Sequence, residues 1–187
     1  TVSLLLKHGK DMVNVADNTG WLPLHTAVRY EASNDVVKAL IDANPLTVKE
    51  RLNDGSLPLH LALEGKASYE VIEMLLLAYP ESIEMKSNIG STPLICAARN
   101  KASLRTVSLL LKHGKDMVNV ADNDGFLPLH WALKKETPSA YVVKTLIDAN
   151  PLTLRHTDYT GSLPIHIAFL GKASIDVMNT LVTTHPE

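Results

Sequence analysis

The sequence predicts an all-α solenoid, a row of stacked helix-turn-helix units joined by β-hairpin-like loops. Three observations predict it. A proline-centred motif recurs five times, as Leu22-Pro23-Leu24-His25-Thr26-Ala27, Leu57-Pro58-Leu59-His60-Leu61-Ala62, Thr92-Pro93-Leu94-Ile95-Cys96-Ala97, Leu127-Pro128-Leu129-His130-Trp131-Ala132 and Leu163-Pro164-Ile165-His166-Ile167-Ala168. Its prolines lie 35, 35, 35 and 36 residues apart, a period that marks a repeat array. Each motif is preceded by a glycine and followed by a second apolar-periodic stretch. Finally, the run from Thr1 to Asn18 returns unchanged from Thr106 to Asn123, and the likeness continues at an offset of 105 residues, then 106 after one inserted residue near Ser139. Three repeats were copied as a block.

Each element of the unit follows from its residues. The turn comes first: polar residues such as Asp17-Asn18-Thr19 lead into Gly20, Gly55, Gly90, Gly125 and Gly161, and glycine supplies positive φ at no steric cost. The first helix starts at the motif proline, whose missing N–H costs nothing at that position. It buries Leu24 and Ala27, spaced i, i+3, and their equivalents. The second helix, such as Tyr69 to Leu77, buries Val71, Ile72, Leu75 and Leu76 at helical spacing. Asn44-Pro45, Tyr79-Pro80, Asn150-Pro151 and His185-Pro186 then stop it. No unit covers its own apolar face, so neighbours must stack. The expected organisation is one array over residues 1–187: the trailing part of a truncated repeat (1–16), then repeats at 17–52, 53–87, 88–121, 122–157 and 158–187.

Composition limits the function. The chain has 187 residues, 18 Lys plus Arg against 20 Asp plus Glu, and a formal net charge of -2. A dedicated nucleic-acid binder needs a basic surplus, so that class is excluded. At 45% hydrophobic content the chain is too apolar to be disordered. The single cysteine, Cys96, excludes a disulfide framework and a cysteine-built metal site within one chain. No apolar run approaches the ~18 residues a membrane span requires, and the first residues carry no signal-peptide pattern. The expected location is intracellular, in the cytoplasm, with nucleus and organelle left open.

These motifs resemble the ankyrin repeat, whose pattern is a Gly-x-Thr-Pro-Leu-His-x-Ala helix, a second helix and a hairpin. Lys7-His8-Gly9 with Val13-Asn14 is similar to the end of the second helix and the hairpin that follows. The likeness covers essentially the whole chain. It departs in one respect: the family threonine is Leu22, Leu57, Leu127 and Leu163 in four repeats, and where Thr92 keeps it, Ile95 replaces the histidine. The threonine–histidine pairing at the helix start is therefore expected in no repeat. Losing such a cap costs on the order of 1 kcal/mol per helix, and packing of the leucines between repeats is expected to restore it. The period also exceeds the family's usual ~33 residues, so the loops carry extra length. Val2, Leu5 and Leu6 at one end, and Val177, Leu181 and Val182 at the other, read as internal residues. The array is expected to continue beyond them or to be covered by a partner there, including by end-to-end association.

No residue set points to catalysis. His25, His60, His130 and His166 stand one repeat apart, too far to share one metal, and occupy the family's structural histidine position. Cys96 reads as a small core residue. No metal and no cofactor is expected. The Asp122-Asn123-Asp124-Gly125 turn starts like a calcium loop but lacks the later glutamate, so it is turn chemistry. Asn14 and Asn119 fall where ankyrin hairpin asparagines are hydroxylated; with Met12 between Asp11 and Val13 they read as plain hairpin residues. Trp131 is expected to pack between helices.

The resemblance implies that a partner is bound on the concave face, by the turn tips, the residue before the motif and the exposed end of the first helix. The pre-motif position reads Trp21, Ser56, Ser91, Phe126 and Ser162. Large aromatics among serines stand out, because such anchors dominate binding energy. The first-helix end adds Arg29, Tyr30, Arg99, Lys134 and Lys135, and the tips add Tyr159 beside Asp17, Asp54 and Asp124. The expected function is a non-catalytic scaffold that binds another protein. The alternative is a regulatory or targeting segment of a longer protein, or a fixed subunit of a large assembly.

Overall fold

The computed structural model describes residues 10–134 and 137–184. The chain divides into two compact units, residues 1–88 and 89–187. Among the described residues the first contains α1 (Pro23–Arg29), α2 (Asn34–Ala43), α3 (Pro58–Gly65) and α4 (Tyr69–Ala78). The second contains α5 (Pro93–Arg99), α6 (Leu104–His113), α7 (Pro128–Leu133), α8 (Ala140–Ala149), α9 (Pro164–Leu170) and α10 (Ile175–Thr183). The described residues include no β-strand. Inside each unit the layers follow the repeat. First helices pack on first helices, α1 on α3, then α5 on α7 and α7 on α9; second helices pack on second helices, α2 on α4, then α6 on α8 and α8 on α10. The fold is that of an all-α repeat stack.

Local chemistry sets each boundary. Pro23, Pro58, Pro93, Pro128 and Pro164 are all first residues of their helices, as the sequence predicts. The leucines before them are buried at Leu22, Leu57 and Leu127 and half-buried at Leu163. The pairing expected to be missing is in fact half kept in every repeat. The Leu22, Leu57, Leu127 and Leu163 N–H groups donate to Nδ1 of His25, His60, His130 and His166 at 3.0, 3.2, 3.2 and 3.0 Å. In the third repeat Thr92 Oγ1 accepts instead from the Ile95 N–H at 3.3 Å. Each helix start thus retains one of the two reciprocal bonds of a capping box, which is why leucine can replace threonine.

Serines missed in the sequence start the second helices. Oγ of Ser68, Ser103, Ser139 and Ser174 accepts from the backbone N–H three residues on, the N-cap arrangement. Between the two helices of each repeat one non-glycine residue is left-handed: Glu31, Lys66, Lys101, Thr137 and Lys172, with φ of 52 to 60°. The second helices end before Asn44, Tyr79 and Asn150. The extra loop length is not irregular. It forms five-residue 3-10 helices, at Lys10–Asn14 in the leading partial repeat and at Pro45–Lys49, Pro80–Glu84, Lys115–Asn119 and Pro151–Arg155 in the next four repeats.

Asn14 and Asn119 therefore close 3-10 helices rather than sit in hairpins. Their side-chain carbonyls accept from the amides of Asn44 and Asn150 in the next repeat. Oδ1 of those asparagines accepts from Leu46 N and Leu152 N, both at 3.0 Å, so one amide starts a turn and ties two repeats together. The hairpin-like loops are real but minimal. Asp17 N donates to Trp21 O at 2.9 Å, and the same single rung recurs from Leu52 to Ser56, Asp122 to Phe126 and Asp158 to Ser162.

At the far end Val177 and Leu181 are buried within the last repeat, and Val182 alone of the three expected internal residues is open. Val2, Leu5, Leu6 and Lys135 lie outside the described residues. Cys96 is buried. No helix among the described residues is long and apolar enough to cross a membrane.

Candidate interaction site

The residues singled out by the sequence fall into two groups, one in each unit. In the first unit Trp21 hangs on the turn before α1. Its N–H donates to Asp17 Oδ1 at 3.0 Å, and the same oxygen accepts from Thr19 N and Thr19 Oγ1 at 2.8 and 2.6 Å. Those bonds, led by the Thr19 hydroxyl, hold the Asp17 carboxyl below the usual carboxylate range. The Trp21 ring lies 6.4 Å from Tyr30, tilted by 33°, and meets His25 edge-on at the same distance. Both spacings fall in the attractive range for aromatic pairs. Tyr30 is exposed; Trp21 and Arg29 are half-buried.

The second unit gathers more. Phe126 stands at the position of Trp21, one block later. Its ring lies 5.3 Å from Trp131 on α7, tilted by 40°, and meets His130 edge-on at 5.7 Å. Trp131 is half-buried and its ring joins the cluster. Its Nε1–H donates to Asp122 Oδ2 at 2.7 Å. Asp122 is 6% exposed and its other oxygen accepts from Asp124 N and Phe126 N at 3.1 and 2.9 Å. One buried carboxylate therefore fixes the turn and the indole together. Lys134 Nζ lies over Phe126 at 4.6 Å and over Trp131 at 4.7 Å. The Arg99 guanidinium, at the end of α5, lies 5.6 Å from the Trp131 centroid.

Arg99 and Lys134 are equivalents 35 residues apart, so packing α5 on α7 brings both cations to one indole. Sequence reasoning missed Trp131. The available signal was its contrast within the copied block, where Thr26 holds the same position. Tyr159 takes a separate place at the next turn tip. Its N–H donates to Asp124 O at 3.2 Å, and its ring crosses the spot where Gly125 would carry a Cβ, with Cδ1 2.7 Å away. Gly125 needs to be glycine twice over, for its φ of +81° and for this contact. Arg29 completes no described ring contact.

The histidines serve the scaffold. The His25 and His60 Nε2 atoms sit 3.1 Å from the Glu50 and Met85 carbonyls. Because Nδ1 accepts from the backbone, Nε2 carries the proton and donates, so both rings are neutral. Burial pushes the His25 ring below the ordinary imidazole range; it does the same to His130, reinforced by His156 alongside. Among the described residues no group of three or more His, Cys, Asp or Glu side chains is placed to hold a metal ion.

Comparison with known families agrees with this construction. Residues 1–86 and 59–154 match the family model for ankyrin repeats, in three copies. No curated protein sequence matches the chain.

Proposed function

The chain belongs to the ankyrin-repeat family, and on that premise we propose that it is a non-catalytic scaffold whose partner protein seats on the concave face, at Trp21 and Phe126. Ankyrin repeats generally mediate protein–protein interaction. One observation carries the finer reading. Both copies of the duplicated block present an aromatic pair at the first helix, sharing the position of Trp21 and Phe126 but taking the second ring from different positions, Tyr30 in one and Trp131 in the other. A second ring regained from a different position in each copy favours a shared surface role, which packing alone does not require. The serines at the same pre-motif position, Ser56, Ser91 and Ser162, supply no ring. A preformed surface on regular helices loses little ordering entropy on binding.

The test is affinity capture from native lysate, using the intact chain beside the Trp21→Ala/Phe126→Ala form. Circular dichroism confirms that the variant stays folded. A protein held by the first and lost by the second supports the proposal and names the partner. Equal capture by both refutes the placement on these aromatics.

A further inference from the structure

The connection between α7 and α8 departs from its four counterparts. Those read Glu31-Ala32-Ser33, Lys66-Ala67-Ser68, Lys101-Ala102-Ser103 and Lys172-Ala173-Ser174, whereas this one reads Thr137-Pro138-Ser139. It is also longer: six residues separate Leu133 from Ala140, against three or four in the other repeats. In the four counterparts the alanine N–H closes the turn, donating to Ala27, Ala62, Ala97 and Ala168 O at 2.9, 2.8, 2.9 and 3.0 Å. Pro138 has no N–H, so the equivalent bond to Ala132 O cannot form. The left-handed position carries a charged, unbranched side chain in the other repeats and threonine here, at φ 56°. Branching at Cβ makes that conformation a strained one. Beneath Thr137 and Pro138 lies a cavity of about 100 Å³, walled by Ala98, Ala132 and Val142, so these two residues are not packed tightly against the helices.

We infer that Thr137 is a phosphorylation site, modified by a proline-directed protein kinase. Its side chain is exposed, and its hydroxyl bonds to no other described residue. A residue before proline prefers extended backbone, which is the form a kinase cleft holds. Thr137 therefore sits at φ 56° against its own preference, and entry into a cleft relieves the strain. Pro138 supplies the ring, and the missing N–H, that such an enzyme reads after the acceptor. In the transfer, Thr137 Oγ1 forms a bond to the γ-phosphorus of ATP. The bond from that phosphorus to the β–γ bridging oxygen breaks, its electron pair leaves on ADP, and the hydroxyl proton passes to a carboxylate base of the kinase. The product carries about -1.5 to -2 charges at pH 7. The chain holds one other Thr-Pro pair, Thr92-Pro93, and it is a built-in control. Thr92 is 0% exposed and its Oγ1 accepts from Ile95 N at the start of α5, so a kinase reaches it only when the chain unfolds. The inference stands apart from the partner-binding reading, which gives Thr137 no role.

The test is phosphorylation of the folded full chain by a purified mitogen-activated protein kinase and ATP, with sites and rates read by tandem mass spectrometry. Two variants accompany the intact chain. Thr137→Asn removes the acceptor and keeps a side chain that tolerates positive φ. Pro138→Ala keeps the acceptor, removes the ring and returns the N–H that the other four repeats have. Circular dichroism checks that each is folded. The expected result is a single phosphate at Thr137, none in the Thr137→Asn chain, and a rate about tenfold lower in the Pro138→Ala chain, the loss of one contact in the transition state. Thr92 is labelled on the order of 1000-fold more slowly, because its exposure requires the rare unfolded chain. A synthetic peptide of residues 88–97 is labelled at Thr92, which shows that burial and not sequence protects it in the chain.

A folded chain that stays unlabelled overturns the proposal. So does label on another residue, Ser139 included, with none at Thr137. Equal rates for the intact and Pro138→Ala chains overturn the proline-directed assignment. Label at Thr92 as fast as at Thr137 overturns the structural argument, because the unfolded chain is then the substrate.

Discussion

His60→Ala separates a structural histidine from an ornamental one. The ring is fully buried and makes two bonds, accepting from Leu57 N at 3.2 Å and donating to Met85 O at 3.1 Å. Alanine leaves the Leu57 N–H without an acceptor in a site where Leu57 is 1% exposed; an orphaned buried donor costs about 1–3 kcal/mol. The Met85 carbonyl is half-buried and recovers water in part, adding under ~1 kcal/mol. The vacated ring leaves a cavity costing about 1 kcal/mol more. The sum is about 2–5 kcal/mol. His166 makes the same Nδ1 bond, to Leu163 N at 3.0 Å, but is exposed, so water replaces it and His166→Ala costs under ~1 kcal/mol. Urea unfolding followed by far-ultraviolet circular dichroism compares the two. With a slope of about 2 kcal/mol per molar, the unit carrying His60→Ala should unfold roughly 1–2.5 M earlier, and His166→Ala should move its unit by less than ~0.5 M. Equal shifts, or a His60→Ala shift below that of His166→Ala, would refute the reasoning that buried satisfaction of the helix start is what the histidine supplies.

Two further outcomes are expected. Acid should destabilise the fold above the range where carboxylates titrate. The folded pKa values of His25 and His130 are depressed by burial, so below about pH 6.5 the unfolded chain takes up protons that the folded chain resists. Stability is then complete above that pH and is lost as pH falls toward 5, and a urea midpoint that stays level from pH 7.5 to 5 would contradict this. Asp17 and Asp158 are also depressed, Asp158 because bonds from Thr160 and Ser162 outweigh its burial; their contribution is lost only in stronger acid. Gly125→Ala should cost about 1 kcal/mol for positive φ and roughly 1–2 kcal/mol more for the Tyr159 contact. Gly161→Ala, with φ of +80° and nothing within 4 Å, should cost the first term alone, so thermal unfolding of the two variants isolates the second.

Part of the candidate site was legible in the sequence. Trp21 and Phe126 stood out against Ser56, Ser91 and Ser162, and Arg29, Arg99 and Lys134 marked the helix ends. The place of Trp131 beside Phe126 was not legible, because a residue inside the motif reads as core: Leu61, Cys96 and Ile167 at that position are all buried. Trp131 is half-buried with its indole bonded to Asp122, and nothing in the local pattern announces an indole leaning back nine residues toward a turn carboxylate.

By itself the sequence determined the repeat: its period, the positive φ at the five turn glycines, the helix starts at the five prolines and the buried stripe Val71, Ile72, Leu75 and Leu76 of α4. These depend on steric rules within a few residues and on periodicity, which are visible along one dimension. The tertiary structure decided what lies across repeats. Asn44 reaches Asn14, Asn150 reaches Asn119, Tyr159 covers Gly125, and Arg99 meets Lys134 on Trp131. Each is a contact between residues about one period apart, fixed by the rise and rotation from one helix pair to the next. Side-chain identities record those displacements only after the helices have stacked.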